Sequence, residues 1–276
     1  MLIAERDAMM AKSSLLPPGA RWVEYIESTG EQYIDTGVYG SMSLDFVADF
    51  TPTEISSSYG SGSGRGSIFG SRTSWERDAY QLSTYNISQD HLSGHFLCSH
   101  NYGWNNPKAA DLYAGMVANE HCIIRKDGLI FTRADGTTTT LINQTFQTQL
   151  PILAFAIYNG NNVIELSKIR FHALQFALAD ALLRDLIPVR FKNENSVIEG
   201  AMYDKLGVGG MNPDGTARND GLYRNRGTGA FIIGPDKAFQ SGGHNLICPP
   251  CATSRSWRHS AQYKYAPRTS LWKEAA

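Results

Sequence analysis

From residue 22 onward, hydrophobic and polar residues alternate with a period of two, which is the pattern of β-strands. The segment 44–50 places an apolar side chain at every second position, so one face of the strand can be buried while the other carries polar groups. The dipeptides Asp127-Gly128 and Asp135-Gly136 separate such segments and are typical of two-residue hairpin turns. Strands arrive about every 8–12 residues with turn sequences between them, which predicts a sandwich or a barrel.

Two outer segments, 22–37 and 221–235, read as short strands punctuated by glycine turns. They predict one β domain whose first and last strands meet. One internal stretch, 177–185, has helix propensity, and within it we expect a single turn rather than a helix from Asp180 to Leu183. The other predicted strands are 67–71, 80–85, 94–99, 120–126, 129–133, 137–141, 152–158, 163–175 and 185–191.

Both ends of the chain differ from the middle in their sequence pattern and composition. Residues 1–14 have apolar positions that fit a short helix, and 15–19 contain two prolines and a glycine, which end helices and form linkers. Residues 237–276 hold six Lys or Arg against Glu274 alone. The predicted parts are an N-terminal arm with a hinge (1–20), a sandwich domain (21–236) and a basic, aromatic tail (237–276).

Composition and charge narrow the function classes. The chain has 276 residues and a formal net charge of −1, which excludes a nucleic-acid binder that works through overall electrostatics. Glu5 and Asp7 stand where a secretory signal would be basic, so we expect no export signal and synthesis in a cytoplasm. The longest apolar run, 152–158, is far short of the roughly 20 residues of a membrane span.

The four cysteines fall into two kinds, and they do not form a disulfide framework in a chain of this length. Cys98 and Cys122 lie in strand-like segments and are predicted to be buried thiols. A Cys-x-x-Cys pair in the tail, flanked by histidines, predicts a tetrahedral zinc site that orders the tail. A reversible disulfide and two unrelated thiols stay open as alternatives. The candidate zinc ligands are His244, Cys248, Cys251 and His259.

Short motifs in a fixed order carry a family resemblance. They are YIESTGEQYIDTG at 25–37, IFG at 68–70, LAFA at 153–156, KIRF at 168–171, LRDLIPVR at 183–190, GAMYD at 200–204 and NRGTGAF at 225–231. In order and spacing, the region 22–236 resembles the concanavalin A-like, laminin-G-type jelly rolls of phage structural proteins and of surface proteins of gut bacteria. The resemblance implies an all-β fold, an antiparallel two-sheet jelly-roll sandwich, with a role in binding or display.

One departure from the family is an insertion at 207–220 in a closing hairpin that is short elsewhere. Calcium is the usual helper ion in this fold and takes about six oxygen ligands. The segment 212–221 is rich in Asn, Asp and Gly, so a calcium site in the sandwich is one interpretation and a set of turns is the other.

Candidate sugar-binding residues cluster in the segment 99–107, which mixes aromatic rings with amides. Flat rings can cover the apolar face of a sugar, and amides can bond its hydroxyls. In the alternative interpretation, Trp104 packs the loop onto the sandwich and the asparagines make turns. The candidate glycan-binding residues are Trp75, Tyr80, Tyr102, Trp104, Asn105 and Asn106.

Catalytic constellations are not expected. Glycosidases of this architecture need two carboxylates about 5–10 Å apart. Glu24 and Glu27 fall on opposite faces of a strand. Asp45 and Asp49 share a face, in a strand expected at an edge or lining the core. The sequence contains neither Gly-x-Ser-x-Gly nor His-Glu-x-x-His.

The sequence thus predicts a non-enzymatic, oligomeric phage virion protein, such as a capsid decoration, head fibre or tail appendage, that displays its sandwich to host glycans. Its arms would hold other virion subunits. A lectin-like surface protein of a gut bacterium, which would need export, and a glycosidase stay open as alternatives. No nucleic-acid partner is expected. The predicted anchors of the tail are Trp257, Tyr263, Tyr265 and Trp272.

Overall fold

The computed structural model describes residues 16–55, 66–74, 77–84, 94–101, 110–179, 181–207 and 209–237, and this part of the chain is all β. The first ten strands are β1 (Arg21–Trp22), β2 (Ile26–Glu27), β3 (Ile34–Ser41), β4 (Leu44–Pro52), β5 (Ser67–Ser74), β6 (Arg77–Ser83), β7 (His95–Asn101), β8 (Ala110–Tyr113), β9 (Cys122–Asp127) and β10 (Ile130–Thr132). The remainder are β11 (Thr138–Thr140), β12 (Gln147–Ala154), β13 (Ile157–Tyr158), β14 (Val163–Ile164), β15 (Ile169–Leu178), β16 (Ala181–Lys192), β17 (Ile198–Asp204), β18 (Leu222–Arg224) and β19 (Ile232–Ile233).

The strands form two sheets that pack against each other as a β-sandwich. The first sheet has the order β11-β10-β9-β4-β15-β16-β17-β18, with β1 on β16 and with β2 joining β15 to β19. The second has the order β14-β13-β5-β6-β7-β8, with β12 joining β3 to β5. Among the described strands, all pairs are antiparallel except β13 with β5. The fold class predicted from the sequence is confirmed.

Aromatic rings from both sheets fill the space between them. Phe46 of the first sheet meets Phe69 of the second with ring centroids 4.9 Å apart, edge to face. Phe96 of the second sheet stacks on Phe131 of the first at 4.7 Å. All four rings are fully buried, and such rings bury about 150–250 Å² each. The alternating apolar positions of β4 therefore point inward and contribute to this core, as the sequence predicts.

The first and last motifs of the domain lie side by side. Strand β2 pairs with β19 through Glu27 opposite Ile232. The Gln32 side-chain amide also donates to the carbonyl of Thr228 at 2.9 Å, and Arg226 forms a 2.8 Å ion pair with Asp35. The prediction that the two outer segments meet is confirmed.

The turn predicted from Asp180 to Leu183 is wrong for 181–183, which lie in β16, while Asp180 lies outside the described residues. Ala181 of β16 pairs with Leu178 of β15. Local propensity yields here to pairing on both sides, because β15 also binds β4 and β16 also binds β17.

A lysine stands among the buried side chains of the core. The ammonium of Lys126 on β9 donates to the carbonyls of Met42 and Leu44 at 2.8 and 2.9 Å and to Asp45 Oδ1 at 3.0 Å. An ammonium has three protons, so each has an acceptor. Cys98 and Cys122 are buried free thiols, as predicted.

Candidate functional site

The predicted sugar-binding residues are not assembled in the described part of the chain. Tyr80 is wrong as a surface residue, because its ring is fully buried among the core aromatics. Its hydroxyl donates to the Leu44 carbonyl at 2.7 Å and is not accessible to a sugar in solvent. The other predicted residues lie outside the described residues: Trp75, Tyr102, Trp104, Asn105 and Asn106.

The predicted tail site and tail anchors also fall outside the described residues, which end at Lys237. These residues are His244, Cys248, Cys251 and His259 for zinc, and Trp257, Tyr263, Tyr265 and Trp272 for partner binding. Both stay predictions.

In the segment 212–221, suggested above as a calcium site, the carboxylates are bonded to neighbouring protein groups. Asp214 accepts hydrogen bonds from the backbone amide and hydroxyl of Thr216 at 2.9 and 2.7 Å. Asp220 pairs with Arg224 at 2.7 Å and with Arg218 at 3.2 Å. These contacts are what the turn interpretation expects, and two guanidinium groups already balance the charge of Asp220.

A polar groove of about 410 Å³ opens beside this segment. The β16–β17 turn forms one wall and the loop before β18 forms another. The residues that line it are Pro17, Pro18, Phe191, Lys192, Asn193, Glu194, Asn195, Glu199, Asn212, Pro213, Arg218, Asp220, Leu222 and Arg224.

Hydrogen bonds hold the walls of this groove in place. Asn193 accepts from the amides of Asn195 and Val197 at 2.9 and 3.0 Å and donates to Glu199 at 2.5 Å, which fixes the turn. On the other wall, Asn212 donates to Thr216 at 2.8 Å. Groups held this way are oriented before any ligand arrives.

Charges in the groove cancel. Three cations (Lys192, Arg218 and Arg224) face three anions (Glu194, Glu199 and Asp220) along its lining. Partial burial raises the pKa of Asp220, but hydrogen bonds from Arg224 and from the Leu222 amide outweigh it and leave this pKa below its usual value. Asp220 is therefore ionised at neutral pH, and the groove suits a polar ligand without net charge.

A second polar cluster lies on the outer face of the first sheet. Asp49 points outward from β4, between the inward-facing Ala48 and Phe50. His121 immediately precedes β9, beside the inward Cys122. In β15, Phe171 pairs with Phe50 and Ala173 pairs with Asp49. His172 is therefore the extra residue of a β-bulge, a device that redirects side chains and is common beside functional sites.

The ring nitrogens and carboxylate of this cluster converge. His121 Nε2 lies 2.5 Å from Asp49 Oδ1, and one ligand atom from each of Asp49, His121 and His172 lies within 4.8 Å of the others. Among the described residues, no other group of three His, Cys, Asp or Glu comes together in this way.

The tautomer of His172 follows from its neighbours. Its Nδ1 lies 3.0 Å from the carbonyl of Glu24, which can only accept, so Nδ1 carries the proton. Its Nε2 then presents a lone pair, which accepts from the Thr51 hydroxyl at 3.1 Å. Burial lowers the pKa of His172, an effect that outweighs the bond to Glu24 and the charge of Asp49, so the ring is neutral at neutral pH.

Sequence reasoning placed Asp45 and Asp49 on one face of a strand but did not find the partners of Asp49. His121 and His172 are far from it along the chain, and neither forms a spaced motif. The only sequence signal is that both lie at or beside strands where the period of two points them outward. A bulge cannot be read from that period, so the position of His172 needs the structure.

Comparisons with known proteins add no relative. Neither a protein-family model nor a curated protein matches the chain. Within the described residues, no helix has the length and apolar character needed to cross a membrane. What the groove and the histidine cluster can do therefore rests on their own chemistry.

Proposed function

We propose that this chain is a non-enzymatic structural protein of a phage virion that displays a glycan-binding β-sandwich. The observation that carries the ligand class is the groove beside the β16–β17 turn. It offers fixed amides, carboxylates and guanidinium groups with cancelling charge, which is the chemistry that recognises the hydroxyls of a neutral sugar. The rings of Pro17 and Pro18 add an apolar surface at one side.

The virion class rests on the jelly-roll resemblance of 22–236. Its first and last motifs, 25–37 and 225–231, contact each other through the Gln32 amide and the Thr228 carbonyl and through Arg226 and Asp35, as a closing sandwich requires. The tail, with its positive charges and aromatic residues, supplies the anchor to an acidic surface of another subunit.

The groove is tested with the purified full chain on an array of immobilised glycans. Glu194 and Asn195 are exposed in the β16–β17 turn, so the double variant Glu194→Ala/Asn195→Ala removes two polar groups without opening the core. We expect binding to a subset of neutral glycans, weakened at least about tenfold in this variant, a loss of about 1.4 kcal/mol.

The matched control is Asn161→Ala/Asn162→Ala, which changes two exposed side chains in a turn away from the groove. This control should bind as the unmodified chain does. Equal loss in both double variants, or no glycan bound by the unmodified chain, would overturn the groove as a glycan site.

The virion assignment is tested by mass spectrometry of particles purified from a lysate that contains the gene. We expect the chain in a fixed copy number per particle. Removing residues 238–276 should abolish incorporation and leave glycan binding intact. Absence from particles, with the protein found on cells, would replace the virion assignment with the lectin-like alternative.

A further inference from the structure

The cluster of Asp49, His121 and His172 offers two imidazoles and one carboxylate from three different strands or strand ends. This set suits a first-row transition-metal dication such as Zn²⁺, because imidazole and carboxylate are both ligands of such ions. It shares no residue with the groove and lies outside every site predicted from the sequence. We propose that Asp49, His121 and His172 bind a divalent transition-metal ion on the outer face of the first sheet.

The support around His172 is that of a metal ligand. Such histidines almost always donate their second ring N–H to a carbonyl or carboxylate, which fixes the ring and directs the other nitrogen at the ion. His172 Nδ1 donates to the Glu24 carbonyl at 3.0 Å. The bulge at Phe171–Ala173 keeps the ring on the same face as Asp49.

The geometry needs small side-chain adjustments. Ligands at about 2.0–2.1 Å from a tetrahedral Zn²⁺ lie roughly 3.3 Å apart, and the three ligand atoms here lie within 4.8 Å of one another. His121 is half exposed, so its ring can turn. The Nε2 proton that now faces the Asp49 carboxylate passes through solvent to Nδ1, and the Nε2 lone pair then meets the ion. The Thr51 hydroxyl gives up its bond to His172 Nε2.

The electrostatics set the coordination. Asp49 supplies one negative charge and the two rings are neutral ligands, so the ion keeps a net positive charge and open positions for water or an anionic ligand.

The test titrates Zn²⁺ into the chelator-treated full chain by isothermal titration calorimetry. The tail offers its own cysteines and histidines, so the titration uses the Cys248→Ser/Cys251→Ser chain as its background. We expect one Zn²⁺ per chain. Loss of an outer-shell partner costs about 10–100-fold in metal affinity. We expect a larger loss of Zn²⁺ affinity in each of three variants, His121→Ala, His172→Gln and Asp49→Asn.

The matched control is His100→Ala. His100 also faces a carboxylate, with Nδ1 2.5 Å from Asp78 Oδ1 and its side chain 57% exposed, but it has no second histidine within ligand reach among the described residues. This variant should bind Zn²⁺ unchanged. His121 is exposed, so His121→Ala keeps the fold, and its far-UV circular dichroism spectrum verifies this. No binding in the background chain, or binding that survives His121→Ala and His172→Gln, would overturn the proposal.

Discussion

Two polar clusters on the first sheet lie on β4 and on residues in or next to β9, and they differ in whether their polar atoms stay available to a ligand. The Lys126 cluster is closed, since all three protons of the ammonium are accepted inside the protein and the side chain is fully buried. The histidine cluster is open, because His121 is half exposed and His172 presents a nitrogen lone pair. Closure marks a group that stabilises the fold, and openness marks a group that can meet a ligand.

The difference begins with the face of the strand. Lys126 points inward opposite Phe46, where an unpaired charge is very costly, so only complete pairing is tolerated. Asp49 points outward, and its carboxylate bonds the half-exposed His121 ring. On this face, water can replace a lost partner, so incomplete pairing costs little and can be retained for binding.

Breaking the closed cluster should have the largest effect. Lys126→Ala leaves Asp45 without its cation and removes a donor from the carbonyls of Met42 and Leu44. Removing one partner of a buried pair costs about 3–5 kcal/mol, and we expect a loss of this size in the free energy of unfolding measured with urea. Lys168→Ala is the control, because its pair with Glu54 is half exposed on both sides and is worth at most about 1 kcal/mol. Equal losses in the two variants would contradict the comparison.

A third cluster, around Asp204, is buried but incompletely paired. Asp204 Oδ1 accepts from the amides of Asp185 and Leu206 at 3.1 Å, while Oδ2 finds no hydrogen-bond donor among the described residues. Burial, the largest influence, raises the pKa of Asp204 to about 6, although these amides and Arg184 lower it.

The raised pKa of Asp204 predicts the sign of a pH effect. The folded state holds this proton more tightly than the unfolded state, so its contribution is complete below about pH 4 and is lost as pH rises through 6. At 1.36 kcal/mol per pKa unit, the loss is about 2–3 kcal/mol. Asp204→Asn cannot ionise, so we expect its stability, relative to the unmodified chain, to improve by about this amount from pH 4 to pH 8. Urea midpoints at both pH values check this, and parallel pH profiles of the two proteins would refute it.

A smaller effect is expected at the hydroxyl of Tyr80, which joins the closed cluster. Tyr80→Phe keeps the buried ring and removes only the bond to the Leu44 carbonyl, which still accepts from Lys126 at 2.9 Å. We expect a loss of about 1 kcal/mol in unfolding free energy. A loss as large as that of Lys126→Ala would show that the hydroxyl, not the ammonium, satisfies this carbonyl.

Removing a side chain from the histidine cluster should have the smallest effect on the unfolding free energy. In metal-free buffer, His121→Ala should change the unfolding free energy by no more than about 0.5 kcal/mol, as for other surface positions. Under saturating Zn²⁺ the unfolding free energy of the Cys248→Ser/Cys251→Ser chain should rise by about 1.4 kcal/mol for every tenfold excess of free Zn²⁺ over its dissociation constant. The same chain with His121→Ala should gain at least about 1.4–2.7 kcal/mol less. A large loss in metal-free buffer would place His121 among the residues that hold the fold.

Much of the fold could be predicted from the sequence, because a period of two and glycine turns act over neighbouring residues. The alternation at 44–50 gave β4, and Asp127-Gly128 gave the turn between β9 and β10. The pairing of β2 with β19 followed from two motifs at the ends of the domain. The turn predicted through Leu183 is wrong because pairing of β16 with β15 and β17 overrides local propensity.

The candidate sites were much less predictable. Tyr80 is an aromatic residue of the type that binds sugars, and only its burial among the core rings excludes it from a sugar site. The histidine cluster depends on a bulge and on strand neighbours far apart in the chain, so no spacing in the sequence announces it. The groove likewise joins the β16–β17 turn to the inserted loop before β18.

The most direct measurement is an anomalous difference map at the zinc absorption edge. Crystals of the Cys248→Ser/Cys251→Ser chain would be grown with Zn²⁺. The contrast between closed and open clusters predicts a peak about 2.0–2.2 Å from His121 Nε2, His172 Nε2 and a carboxylate oxygen of Asp49. A map without a peak there, or with zinc only beside His100 and Asp78, would contradict it.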